Sequence, residues 1–146
     1  IMENVFTNDN VKISDDILSW KEAINLSAKP LLDDDYIDKD YLDAIYHNID
    51  EFGPYIDFGF ELAVPHARPE FGVKKTGVSL LKLNNSINLM NDSNHPIKII
   101  ITFCSVDNTS HIDILKKISE IFGDQNKLIR IKNANSVDEI LNIINK

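Results

Sequence analysis

Apolar positions recur along the chain in two periods. In residues 20–32, Trp20, Ala23, Ile24, the small Ser27 and Leu31 fall on one stripe at three- and four-residue steps, which predicts an amphipathic helix. Residues 38–52 predict a second, with Tyr41, Leu42, Ile45, Ile49 and Phe52 on its inner face and Gly53-Pro54 as its stop. The period then shortens. Residues 55–58 and 61–64 read as short extended segments running into Pro65-His66. Residues 76–83 (TGVSLLKL) and 97–103 read as strands, the second a nearly continuous β-branched run of the kind buried on both faces. Residues 84–96 between them read as a polar loop with Ile87, Leu89 and Met90 in its middle.

The last third returns to the helical period. A helix is predicted to start near His111, with Ser110 and Asp113 as a loose capping box, Ile112, Leu115, Ile118 and Phe122 as its apolar face, and Gly123 as its stop. A short helix is expected over 125–131. In the final helix Ser136 and Glu139 form a capping box, and Val137, Ile140, Leu141 and Ile144 line the buried face. Helices alternating with strands, one strand buried, indicate the α/β class, with helices covering a sheet.

Composition narrows this picture. The chain of 146 residues is the size of one domain, expected to run over 1–146, and it shows no repeat or linker. No apolar run approaches the roughly 18 residues that span a bilayer. IMENVFTNDN lacks the basic-then-apolar order of a secretory leader, and the single cysteine, Cys104, allows no internal disulfide, so a cytoplasmic location is expected. Cys104 lies in IKIIITFCS and reads as a buried, inert thiol. With no paired cysteine and no HExxH spacing, no metal site is expected. A net charge of −8 argues against nucleic acid as the partner, because phosphate backbones need a basic face. The acid is concentrated in LLDDDYIDKDYLD, read as a solvated helix junction.

The chemistry rests on four histidines. His47, on a helix, and His95, in the polar loop before Pro96, read as surface residues. His66 differs: in AVPHARPE, Pro65 fixes its own φ and biases Val64 toward extended backbone, and Pro69 does the same to Arg68. His66 is thus held at a strand end, where sites of α/β sheets tend to lie. Arg68 offers charge-assisted bonds to an oxyanion. The spacing alone is equally compatible with a histidine held in a turn for structural reasons. His111 adds to the functional reading, because a first helical turn favours an anion and disfavours an imidazolium. Two neutral imidazoles beside anion-binding groups suit phosphoryl transfer through histidine, which needs positioning and charge stabilisation. No GxxxxGK[ST] and no GxGxxG is present, so neither a nucleotide nor another cofactor is expected, and the phosphoryl donor would be a protein.

GPYIDFGFELAVPHARPEFGVKKTGVSLLKL, together with SWKEAINLSAKPLL and HIDILKKISEIF, resembles the IIA proteins of the sugar phosphotransferase system, mannitol/fructose group, and in its wording the ascorbate-type members. The resemblance covers essentially the whole chain. It implies one domain with a mixed sheet of about five strands between helices. It implies that phosphorylated HPr passes a phosphoryl group to His66, on Nε2. His66 then passes the group to a cysteine of the cognate IIB protein, which phosphorylates the sugar taken up through a membrane IIC subunit. His111 matches the second family histidine, which helps hold the phosphoryl oxygens. Mannitol-type relatives carry an arginine where this chain has Asn48; Asn48, Arg68 and Ser110 are the candidate stabilisers here. Rival readings are a regulatory IIA-like module signalling through His66, a small-anion-binding domain without turnover, and a His-pair hydrolase, for which no GxSxG nucleophile appears.

Overall fold

The structure is a computed structural model that describes residues 5–146. Part of the stretch read for a leader therefore lies outside the described residues. Strand β1 (Val11–Ser14) is followed by two helices, α1 (Trp20–Asp33) and α2 (Lys39–Phe52). Short β2 (Asp57–Gly59) and β3 (Leu62–Ala63), long β4 (Gly77–Asn88) and β5 (Pro96–Cys104) come next. Helices α3 (Asn108–Phe122), α4 (Gln125–Lys132) and α5 (Val137–Ile144) complete the chain. The five strands form one mixed sheet in the order β1-β4-β5-β3-β2, with β1·β4 and β3·β5 parallel and β4·β5 and β2·β3 antiparallel.

Period-2 alternation in the central strands feeds two cores. Ile99, Ile101 and Phe103 of β5 join Val78 and Leu80 of β4 under α3, α4 and α5. Ile100 and Cys104 join Leu81 and Leu83 under α1 and α2. Strand β5 is covered on both sides, as its β-branched run requires. Two polar pairs lie within this interior, whereas the buried Ser105 hydroxyl has no hydrogen-bond partner among the described residues. Ser27 of α1 meets Thr102 of β5 at 2.6 Å, and Lys82 sends its amine to the Ala134 carbonyl at 2.9 Å.

Several elements differ from the sequence expectation. β1 was not foreseen; four residues at a sheet edge carry too short a pattern to read. β4 continues to Asn88 through part of the expected loop. A register shift between Lys82 and Ile87 puts Asn84, Asn85 and Ser86 outside, so its polar stretch imitates a loop. Helix α3 starts earlier than expected: Asp107, not Ser110, is the N-cap, accepting the Ser110 N–H at 2.8 Å. Its buried face is Ile114, Ile118, Ile121 and Phe122, while Ile112 is 54% exposed. Phe52, placed on the inner face of α2, is instead exposed at the helix end. The Ser136 cap of α5 forms as expected, but Glu139 reaches back to Asn135 N–H rather than to Ser136. The complete capping box is at Ser19–Glu22, opening α1.

Candidate active site

His66 is positioned by backbone first. After β3 the chain stays beside β5: Val64 N–H bonds the Ile56 carbonyl at 2.7 Å and Phe103 N–H reaches the Pro65 carbonyl at 3.3 Å. Proline at 65 has no N–H to place, so the segment leaves the ladder without an orphaned donor. The His66 ring then folds back on its own strand, with Nδ1 2.7 Å from the Val64 carbonyl. A carbonyl only accepts, so Nδ1 carries the proton and the Nε2 lone pair points away. Nε2 has no hydrogen-bond partner among the described residues.

Aromatic rings surround the imidazole. Phe103 stacks on it at a centroid distance of 5.0 Å and 17°, while Tyr55 and His111 stand edge-on at 5.3 and 5.6 Å. His111 also meets Phe103 at 5.1 Å, so the two histidines share one phenyl support. Burial pushes the His66 proton affinity below that of a free imidazole; the bond to Val64 opposes this and repulsion from His111 adds to it. Burial lowers His111 as well. The cause expected from sequence, free N–H groups around His111, is not what is found. His111 lies one residue beyond the first three of α3, and its N–H is taken by the Asp107 carbonyl at 3.1 Å.

The peptide that follows His66 is held by two phenols. Tyr55 donates its hydroxyl to the His66 carbonyl, and the Ala67 N–H donates to the Tyr41 hydroxyl at 2.9 Å. Tyr41, fully buried in α2, passes its own proton to the Phe103 carbonyl at 2.7 Å and so joins α2, the His66 loop and β5. Burial raises the pKa of both phenols, Tyr55 to about 12, so both are neutral donors at physiological pH. The Asn48 side chain, in the last turns of α2, opposes that rise at Tyr55. Sequence reasoning placed Tyr41 on a helix face and did not single out Tyr55 or Phe103; only the GPYI wording touches one of them.

The structure brings His66 and His111 together. Asn48 bears on the site at Tyr55, and the other two candidates are not brought to the ring. Arg68 is 77% exposed in its side chain and paired with Glu70 at 2.9 Å. Ser110 is engaged through its N–H with Asp107. His47 is exposed and meets Glu51 at 3.2 Å, as a surface residue should. His95 is less exposed than expected and bonds Asp57 at 2.6 Å. Cys104 is buried, its thiol pushed up to about 12 by burial, in keeping with an inert role. Among the described residues no cluster of ligating side chains could hold a metal, and no helix is long and apolar enough to cross a membrane.

The chain and its fold are similar to those of known proteins. Residues 4–146 match the family model described as "Phosphoenolpyruvate-dependent sugar phosphotransferase system, EIIA 2". The ascorbate-specific PTS system EIIA component of Escherichia coli (strain K12) is 31% identical over 147 aligned positions, covering 100% of this chain and 96% of that protein. The mannitol-specific cryptic phosphotransferase enzyme IIA CmtB of Escherichia coli superposes with a TM-score of 0.89 at 32% identity, covering 99% of this chain and 97% of that one. The mannitol enzyme IIA of Escherichia coli, solved in complex with phosphorylated enzyme IIB, shares the fold at a TM-score of 0.82 and 20% identity, covering 95% of this chain and 96% of that one. With a neutral, walled imidazole at its centre, the chain belongs to the EIIA 2 family of the phosphoenolpyruvate-dependent sugar phosphotransferase system, whose members are phosphotransferases.

Proposed function

We propose that this protein is a cytoplasmic phosphocarrier that takes a phosphoryl group from phosphohistidine of HPr onto His66 Nε2 and gives it to a cysteine thiolate of its IIB partner. The observation that carries this reading is the bond from His66 Nδ1–H to the Val64 carbonyl, which leaves the Nε2 lone pair free at the site. In the first step the donor's N–P bond breaks as the Nε2–P bond forms, and the donor imidazole leaves with its lone pair. The Nδ1 proton stays on the His66 ring, whose positive charge the Val64 carbonyl then faces. In the second step sulfur displaces Nε2, and His66 returns to its resting tautomer.

His111 is the companion group. Its ring stands edge-on to that of His66 with centroids 5.6 Å apart, close enough for a His111 ring N–H to reach oxygens of a phosphoryl group carried on His66. Arg68 pairs with Glu70 through Nε and keeps its other guanidinium N–H groups for an oxyanion, and Ser110 serves only through its hydroxyl. Ascorbate is the sugar that the 31% identical relative points to, with a membrane IIC subunit as the route of entry. The IIB partner is supported by the complex solved for the mannitol relative. The test is an intact-mass spectrum after incubation with phosphoenolpyruvate, enzyme I and HPr. An acid-labile gain of one phosphoryl group in the wild type and none in His66→Ala is expected. A gain that survives in His66→Ala would overturn the assignment, and no gain in either, with the donors shown active, would favour anion binding without turnover.

A further inference from the structure

On the face that β5 turns to α3, the buried side chains are Ile99, Ile101 and then Phe103, and the change from aliphatic to aromatic falls where the strand meets His66. Another aliphatic side chain would also fill this core. What a phenyl ring adds is a negative face. Phe103 presents that face to the imidazole: the two rings are 17° from parallel with centroids 5.0 Å apart, whereas Tyr55 and His111 stand at 75° and 68° to it.

The support is fixed in place. Phe103 is fully buried and sits opposite Val78 in the β4·β5 ladder. Its N–H bonds the Pro65 carbonyl at 3.3 Å, which ties it to the residue before His66, and its carbonyl accepts the Tyr41 hydroxyl at 2.7 Å. The resting His66 ring carries one proton, on Nδ1, and no charge. It becomes positive when Nε2 takes a second substituent, a proton or a phosphoryl group, because the Nδ1 proton stays. The Val64 carbonyl faces that charge from the ring's edge at 2.7 Å, and Phe103 faces it from across the ring plane. A cation over an aromatic face within about 6 Å of the centroid is attracted to it, and more strongly where water is excluded.

We propose that Phe103 is a positioning residue that favours the loaded state of the carrier: its ring face, parallel to His66, attracts the positive charge that the imidazole acquires when Nε2 takes the phosphoryl group. Phe103 thereby sets how firmly His66 holds its cargo, acting through the imidazole and not on phosphorus or its oxygens. The proposal rests on His66 being the phosphoryl acceptor. The titratable groups facing the ring from the packed elements are His111 of α3 and the Tyr55 phenol, and the variants below leave both in place.

The test uses the full chain with Phe103→Leu and Phe103→Met, which remove the aromatic face, and Phe103→Tyr, which keeps it. Two quantities are read: the proton affinity of His66 by imidazole NMR, its signals being those missing from His66→Ala, and the loaded fraction by intact mass at a fixed ratio of phospho-HPr to HPr. Loss of the face should lower the proton affinity by about three- to thirtyfold, and the equilibrium constant for loading should fall by a similar factor. Phe103→Tyr should stay near wild type in both. The sign separates this role from a structural one. A ring that only excluded water would, once truncated, admit water and make protonation of His66 easier. An unchanged or raised proton affinity in Phe103→Leu would therefore overturn the proposal, as would a loading constant that does not fall with it. If Phe103→Leu loses its dispersed amide spectrum, Phe103→Met decides by the same two readings. A wild-type protein that accepts no phosphoryl group refutes the carrier reading, while the proton titration still decides whether the Phe103 face favours charge on His66.

Discussion

His66 and His95 are both half-buried rings beside a proline, and an oxygen sits close to Nδ1 in each, at 2.7 and 2.6 Å. The oxygens differ. For His66 it is the neutral carbonyl of Val64, two residues back, and the rest of the ring is lined by Phe103, Tyr55 and His111. For His95 it is the Asp57 carboxylate, whose other oxygen accepts the Gly59 N–H at 2.8 Å. One arrangement keeps an uncharged ring with a free lone pair. The other forms an ion pair on protonation and ties the edge strand β2 to the turn before β5. A histidine near proline is therefore not by itself a signature of reactivity; the charge of its Nδ1 partner and the polarity of its walls separate a ring with a free lone pair from a tie.

The largest break in this comparison is His66→Ala, expected to abolish phosphoryl acceptance while His95→Gln leaves the rate within about twofold, as surface-type changes do. Acceptance rates of the two variants from phospho-HPr would decide it, and a lost rate in His95→Gln would erase the distinction. Next comes His111→Ala. It should slow acceptance by about ten- to a hundredfold, the scale of losing one stabilising group, without preventing a phosphoryl group from appearing by mass. Tyr41→Phe strikes the support rather than the chemistry: the Ala67 N–H and Phe103 carbonyl lose a buried partner, at a cost of about 1–3 kcal/mol. Urea denaturation measures this directly.

A smaller effect concerns pH. Burial depresses proton binding at both His66 and His111 in the folded chain, whereas the unfolded chain binds protons near a pH of about 6.5. The unfolded state therefore holds more protons just below that value, and stability rises with pH there. The contribution is whole above about pH 6.5 and is lost as pH falls toward the folded pKa values. Denaturation midpoints at pH 7.5 and 5.5 should differ less for His66→Ala than for the wild type; an unchanged difference would show that burial of His66 does not set it. The smallest effect is expected of Arg68→Gln. Its guanidinium is exposed and engaged with Glu70, so acceptance should stay within about threefold, and a larger fall would mean that its remaining N–H groups meet the phosphoryl group.

The sequence by itself determined the local parts of this protein. Both stripes of α1 and α2, the Gly53 stop, the Ser136 cap and the doubly buried β5 follow from period and punctuation, because each rests on residues within a few positions of one another. The His66 turn was legible for the same reason. Two prolines restrict its backbone, and the Val64 bond that sets its tautomer spans two residues. The wording around it also carried the family. Only the tertiary structure decided what surrounds the ring. Tyr41 reaches Ala67 across 26 residues and Phe103 across 62, and these contacts exist because β3 pairs with β5 in the sheet order, which no local period encodes. The phase of α3 was lost for a related reason. Ile112 and Ile114 are equally apolar, and docking onto the β5 face selected Ile114. Arg68, attractive beside His66 in sequence, points to solvent because residues two apart on an extended chain leaving a sheet need not share a destination.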